Sequence, residues 1–235
     1  MVGIRAVTFD AYGTLLNIEG MHAKATEEIL KVNNFEVDIA SFHTLWDKYA
    51  DQLMSLEPFE NIWSIFDRAL AKAFEFYGFQ DKRIPGDLEI WLNMLKNCSP
   101  YPLAKEVVAR AGRHFKTALI SNADNDELHG SLARYGLQFD VVVSSEDARS
   151  YKPRSAIFQQ AASALGCKPQ EILHLGDSFS ADVLGAKAFG AFAVWFNRKR
   201  GNIPPGVAEP DYIISELGDL IPLFKKLGQE KVEIA

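Results

Sequence analysis

Ile4-Arg5-Ala6-Val7-Thr8-Phe9-Asp10-Ala11-Tyr12-Gly13-Thr14 is an apolar, β-branched run that stops at a carboxylate and turns at once. The pattern predicts a buried strand that delivers Asp10 to an exposed rim. In open α/β sheets ligands sit in the crevice beyond the carboxyl ends of the strands, so a carboxylate there is placed for chemistry rather than packing. Asp10 is accordingly the candidate nucleophile. Gly13 permits a backbone conformation that a Cβ would obstruct, and Thr14 brings a hydroxyl and an amide near the carboxylate.

After Asn17 the apolar residues change to helical spacing, through Ala25, Ile29, Leu30 and Val32, then Phe42, Leu45, Trp46, Tyr49 and Leu53. Further runs from Ile62 to Tyr77 and from Leu88 to Leu95 make residues 18–97 helical throughout. The aromatic residues Phe59, Trp63, Phe66, Phe74, Phe76, Tyr77 and Phe79 read as packing of that region. From Pro102 the rhythm alternates. Strands are expected over 117–120, 139–143, 172–175, 192–196 and 212–214, with helices to about 112, from 125, over 155–165, over 181–189 and at the end. Such alternation implies parallel pairing with right-handed crossovers. The expected fold is α/β: a doubly wound parallel, Rossmann-like sheet core at 1–17 and 98–235, with an inserted all-helical cap domain at 18–97. An insertion just after the first strand is expected to lie over the crevice and shield it from water. Residues 199–210 read as a loop and 229–235 as a fraying end.

The 235 residues are 48% hydrophobic, enough to bury a sizeable core. The acidic excess, 31 Asp and Glu against 25 Lys and Arg, contains no long like-charged block, so no nucleic-acid partner is implied. Cys98 and Cys167 lie far apart without a metal-ligand pattern, which argues against a zinc site or disulfide framework. With no signal-peptide pattern and no membrane-length apolar stretch, the expected location is cytoplasmic and no membrane partner is implied. The oligomeric state is not legible. His22, His43, His114, His129 and His174 are scattered and receive no role, His174 reading as a hydrogen-bonded core imidazole.

The other strand ends carry matching chemistry. Ser121-Asn122 follows one strand, a segment from Ser144 to Lys152-Pro153 another, and Gly176-Asp177-Ser178 with Asp182 a third. Each alone also reads as a turn or a helix cap. Together they predict an anion and metal site on a single rim. For a phosphate ester, Mg²⁺ would be held by Asp10, the Tyr12 carbonyl, Asp177 and Asp182, offsetting the repulsion between carboxylates and a dianion. Lys152 would supply a point charge, while Thr14, Ser121 and Asn122 would hold the substrate during in-line transfer to Asp10. An aspartyl-phosphate, hydrolysed by water, would be the intermediate.

These residues, in this order, resemble the haloacid dehalogenase superfamily of hydrolases. The four segments are Asp10-Ala11-Tyr12-Gly13-Thr14-Leu15-Leu16, Ser121-Asn122, Lys152-Pro153, and Gly176-Asp177-Ser178 through Asp182. The resemblance implies a hydrolase with a cap inserted after the first motif. Phosphatases of the superfamily carry a second Asp two residues after the nucleophile; here Tyr12 stands there. Its phenol, with pKa near 10, is a poor base, and loss of an acid/base costs roughly 10² to 10⁴ in rate. Asp-Ala-Tyr-Gly-Thr instead resembles the 2-haloacid dehalogenases, in which Asp10 would attack the halogen-bearing carbon without a metal. Against that, Asp177 is retained and would repel a haloacid carboxylate, and a halide-cradling Arg in the cap has no counterpart. The sequence therefore favours a Mg²⁺-dependent phosphatase of a small, anionic, phosphorylated molecule, with the 2-haloacid dehalogenase as the alternative. A third reading is a binding protein that kept the fold and lost turnover.

Overall fold

The computed structural model describes residues 3–79 and 83–229. The fraying expected of 229–235 falls almost wholly outside them. The chain divides into two compact units, Met1–Asn17 with Ser99–Ala235, and Ile18–Cys98.

In the first unit, strand β1 (Ala6–Phe9) is buried at every residue, as a strand covered on both faces must be. Helix α5 (Ala104–Ala111) leads to β2 (Lys116–Ser121), helix α6 (Asn125–Tyr135) to β3 (Val141–Ser144), and helices α7 (Ser145–Ala148) and α8 (Ser155–Leu165) to β4 (Ile172–Gly176). A π-helical turn, Phe179–Leu184, runs into α9 (Gly185–Phe189), followed by β5 (Phe192–Phe196), β6 (Tyr212–Ile214) and α10 (Leu220–Gln229). The six strands lie in the order β3-β2-β1-β4-β5-β6, every pair parallel. Crossovers from β1 to β2 and from β3 to β4 run in opposite directions across the sheet, so right-handedness places their helices on opposite faces. One face packs Ala118, Ile120 and Val143 against Ile157, Phe158 and Ala161 of α8. Elsewhere α5 packs on β2 and on α10, where Phe115 and Phe224 meet at 5.8 Å.

The strand order reverses beside β1, and crevices at such a switch point take ligands. Asp10 leaves β1 and Asp177 leaves β4 at that point, held together by the Asp10 N–H donating to the Leu175 carbonyl at 2.8 Å.

Three local expectations shift. β3 starts at Val141 rather than 139, because Asp140 is occupied at the sheet margin: its Oδ2 accepts the Thr117 N–H at 2.7 Å. The segment after β3 folds into α7, whose cap, Ser144, accepts the Asp147 N–H at 2.9 Å. The helix expected over 181–189 is α-helical only from Gly185, since the preceding turn is widened: Val183 N–H reaches back five residues to the Ser178 carbonyl at 3.3 Å.

The second unit contains α1 (Met21–Val32), α2 (Ile39–Met54), α3 (Ile62–Phe76) and α4 (Leu88–Lys96), and no strand among its described residues. Asp38 and Asn61 cap α2 and α3 by accepting the Ser41 and Ser64 N–H groups. Its core is aromatic. Phe42 and Phe74 meet edge to face at 5.2 Å, Phe66 stacks on Trp91 at 4.6 Å, and the Trp46 indole donates to the Phe66 carbonyl at 3.0 Å. No helix among the described residues is long and apolar enough to cross a membrane.

Candidate active site

Lys152 is the hub of the rim. Its ammonium is buried and spends its three protons on Asp10 Oδ1 at 2.7 Å, Asp182 Oδ1 at 2.6 Å and the Ile120 carbonyl at 2.9 Å. Burial opposes its charge, but the two carboxylates prevail and raise its proton affinity above that of an ordinary lysine. Asn122, expected to bind substrate, spends its carboxamide on this lysine. It accepts the Lys152 N–H at 2.8 Å and donates to the Lys152 carbonyl at 3.2 Å, so it sets where the lysine side chain begins.

Asp10 is buried, with burial pushing its carboxyl above the ordinary value and the Lys152 ammonium working against that rise. Its two oxygens differ. Oδ1 is held by Lys152, whereas Oδ2 is buried and has no hydrogen-bond partner among the described residues. A buried unpaired carboxylate oxygen is costly, and an oxygen kept for bonding to substrate is one reason to tolerate it.

Asp182 has both oxygens occupied. Oδ1 meets Lys152 and His174 Nε2 at 3.2 Å, and Oδ2 accepts the Ser178 N–H at 3.0 Å. Burial works against its charge, yet Lys152 and His174 hold the carboxyl down to about 2. The approach depends on Gly176: a Cβ there would lie 2.1 Å from Asp182 Cγ. His174 and Thr8 are the residues missed from sequence. They are register partners on β4 and β1, and the Thr8 hydroxyl meets His174 Nδ1 at 2.8 Å. A chain of contacts thus runs from Thr8 through His174, Asp182 and Lys152 to Asp10. The one available signal was a histidine in an otherwise apolar strand.

The remaining candidates are placed as follows. Thr14 is buried and tied to Asp177, donating its hydroxyl to Oδ1 at 3.2 Å and accepting the Asp177 N–H at 3.0 Å. Gly13, at φ +95°, comes so close to Asp177 that a Cβ would lie 2.6 Å from its carboxylate. Ser121 ends β2, buried, opposite Ser144. The Tyr12 hydroxyl is turned to α6, donating to the Glu127 carbonyl at 3.2 Å and lying 3.2 Å from Ser131 Oγ. Carboxylate oxygens of Asp10, Asp177 and Asp182 all lie within 4.8 Å of one another. Burial, then the charges of Asp10 and Asp182, raise the Asp177 carboxyl to about 7.

Comparison with known proteins gives a consistent result. A family model described as haloacid dehalogenase-like hydrolase matches residues 4–190. The (S)-2-haloacid dehalogenase 4A of Burkholderia cepacia is 28% identical over 95% of this chain and 96% of its own. The (S)-2-haloacid dehalogenase of Xanthobacter autotrophicus is 31% identical over 96% of each chain. The solved structure of L-2-haloacid dehalogenase from X. autotrophicus superposes with a TM-score of 0.74 at 26% identity, covering 94% of this chain and 98% of that one.

These relatives overturn two expectations. The Mg²⁺-dependent phosphatase acting on a phosphorylated molecule gives way to the alternative, because similarity along the whole length is to enzymes named for haloacids. Mg²⁺ as cofactor falls with it. Within the site, the Lys152 ammonium already supplies positive charge between Asp10 and Asp182, and both oxygens of Asp182, expected to be a ligand, are engaged. Asp177, whose charge weighed against a haloacid in the sequence, has its carboxyl raised to about 7 and is a weaker anion at neutral pH than an ordinary aspartate.

Proposed function

Because the chain belongs to the haloacid dehalogenase-like hydrolases, we propose that it removes halide from short 2-haloalkanoic acids through an ester on Asp10. The observation that carries this reading is the unequal pair of oxygens on Asp10, one held by Lys152 and one buried without a partner. Oδ2 attacks C2 of the substrate from the side opposite the halogen. The C–X bond breaks as the O–C bond forms, and halide leaves with the bonding pair. Halide departs unprotonated, so the step needs no acid where Tyr12 stands. Lys152 keeps Asp10 ionised and oriented, with Asp182 and His174 fixing the lysine. Water then attacks the ester carbonyl, Asp10 Cγ, and the acyl C–O bond breaks; one proton of the water ends on the departing alkoxide, giving the 2-hydroxy acid, and the other is released to solvent as the carboxylate is regenerated. C2 is inverted once.

Halide release from each enantiomer of 2-chloropropanoate, measured with a chelator present, tests the reading. The S form is expected to react, as the relatives' names suggest, giving R-lactate. Asp10→Asn should abolish turnover. In a single turnover in ¹⁸O water the label should enter Asp10 and not the lactate. Label in the lactate, or turnover that requires added divalent metal, would refute the ester route.

A further inference from the structure

A second cluster of titratable groups lies in the helical unit, made of residues given no role above. His22 sits in the first turn of α1, while His43 and Asp47 sit one turn apart on α2. One donor atom from each lies within 4.8 Å of the others, and all three residues are half-buried. His43 Nδ1 is 3.1 Å from Asp47 Oδ2, so the carboxylate accepts that ring proton and Nε2 keeps its lone pair. His22 Nδ1 accepts the Trp91 indole N–H at 3.1 Å.

We propose that His22, His43 and Asp47 form a binding site for a first-row divalent transition ion of the zinc class, tying the start of α1 to α2. Two imidazoles and a carboxylate are a nitrogen-rich set that suits Zn²⁺, Co²⁺ or Ni²⁺ better than Mg²⁺, and three protein donors leave a position for water. Bonds of about 2.0 to 2.1 Å require the three donors to turn towards one centre, which side-chain rotation on adjoining helices accommodates. The Asp47 carboxylate beside the two half-buried imidazoles is a negative charge that an ion would compensate. Trp91 opposes it. The indole N–H only donates, so it fixes His22 Nδ1 as an acceptor, and the ion must displace that hydrogen bond to use the ring.

The test is a Co²⁺ titration of the chelator-stripped full chain, followed by competition with Zn²⁺. The expected result is visible d–d absorption that saturates at one equivalent, disappears with Zn²⁺, and is lost in His43→Ala and in His22→Gln. Asp177→Asn, which alters the acidic cluster of the other unit, should keep the absorption. Trp91→Phe removes the competing donor while leaving an aromatic ring against Phe66, and should bind about fivefold more tightly. Absence of saturable absorption, its persistence in both histidine variants, its loss in Asp177→Asn, or unchanged affinity in Trp91→Phe would each overturn the proposal.

Discussion

Asp10 and Lys152 illustrate how a buried ion pair is kept at the cost of stability. The ammonium faces two buried carboxylates, Asp10 and Asp182, and removing it strands Asp10 and leaves Asp182 with only His174 and the Ser178 N–H. Lys152→Met is therefore expected to destabilise the fold by about 3–5 kcal/mol, read from chemical denaturation, and to eliminate halide release. Asp177 governs the pH response. An unfolded aspartate titrates near 3.9, and in the folded protein Asp177 titrates near 7. Between those values the native state binds a proton that the unfolded state lacks, so this residue lowers stability as pH rises from about 4 to about 7. Asp177 is exposed, and solvent screening limits the size of the effect. Asp177→Asn should raise the melting temperature at pH 8 and leave it nearly unchanged at pH 4.5. The same ionisation repels an anionic haloacid, so KM should climb as pH passes 7 in the native enzyme and stay flat in Asp177→Asn. At this scale the sequence revealed which residue types stand at the strand ends. It did not reveal that Asn122 is spent on Lys152, that Thr14 is spent on Asp177, or that the Tyr12 hydroxyl turns to α6, because hydrogen-bond partners 30, 163 and 115 residues apart leave no local trace.

The turn after β4 does more than a loop of its length implies. Ser178 accepts the Ala181 N–H at 3.2 Å, and the widened turn brings Asp182 back to Ser178, His174 and Lys152. Gly176 permits this close return, so Gly176→Ala forces Asp182 aside. The expected outcome is a loss of about 1–3 kcal/mol in stability, measured by denaturant titration, with a fall in halide release that exceeds what unfolding explains. Periodicity identified the strands and most helices because burial on one face or two writes itself into local spacing. It did not find the π-helical turn or α7. Those depend on Ser178 and Ser144 capping short segments, a choice that spacing alone leaves open. β6, with Ile213 exposed, was still legible because its β-branched residues suit a sheet margin.

At the scale of the molecule, the helical unit leaves and rejoins the sheet unit through two segments that already touch. The Asn17 N–H donates to the Ser99 carbonyl at 2.8 Å, and the Tyr101 N–H donates to the Leu15 carbonyl at 2.9 Å. The sheet unit can therefore be closed without its insertion. Replacing 18–98 with two glycines is expected to leave a chain that melts cooperatively and keeps the far-ultraviolet signature of a mixed α/β protein. Loss of cooperativity would show that the sheet unit does not fold alone.

The sequence by itself determined the parallel sheet, the rim and the residues that meet there, since burial periodicity and the placement of polar residues after apolar strands are local properties. It also held the dehalogenase reading as the alternative, in the pairing of Asp10 with Tyr12. What it misjudged was charge. Counting Asp177 and Asp182 as ionised acids in need of a divalent ion overlooks that Lys152 lies between Asp10 and Asp182, that His174 reaches Asp182, and that desolvation and then the neighbouring carboxyls raise Asp177. Only the tertiary structure decided those things, because the free energy of a charge depends on the distance and burial of its neighbours, and these are set by folding rather than by order along the chain.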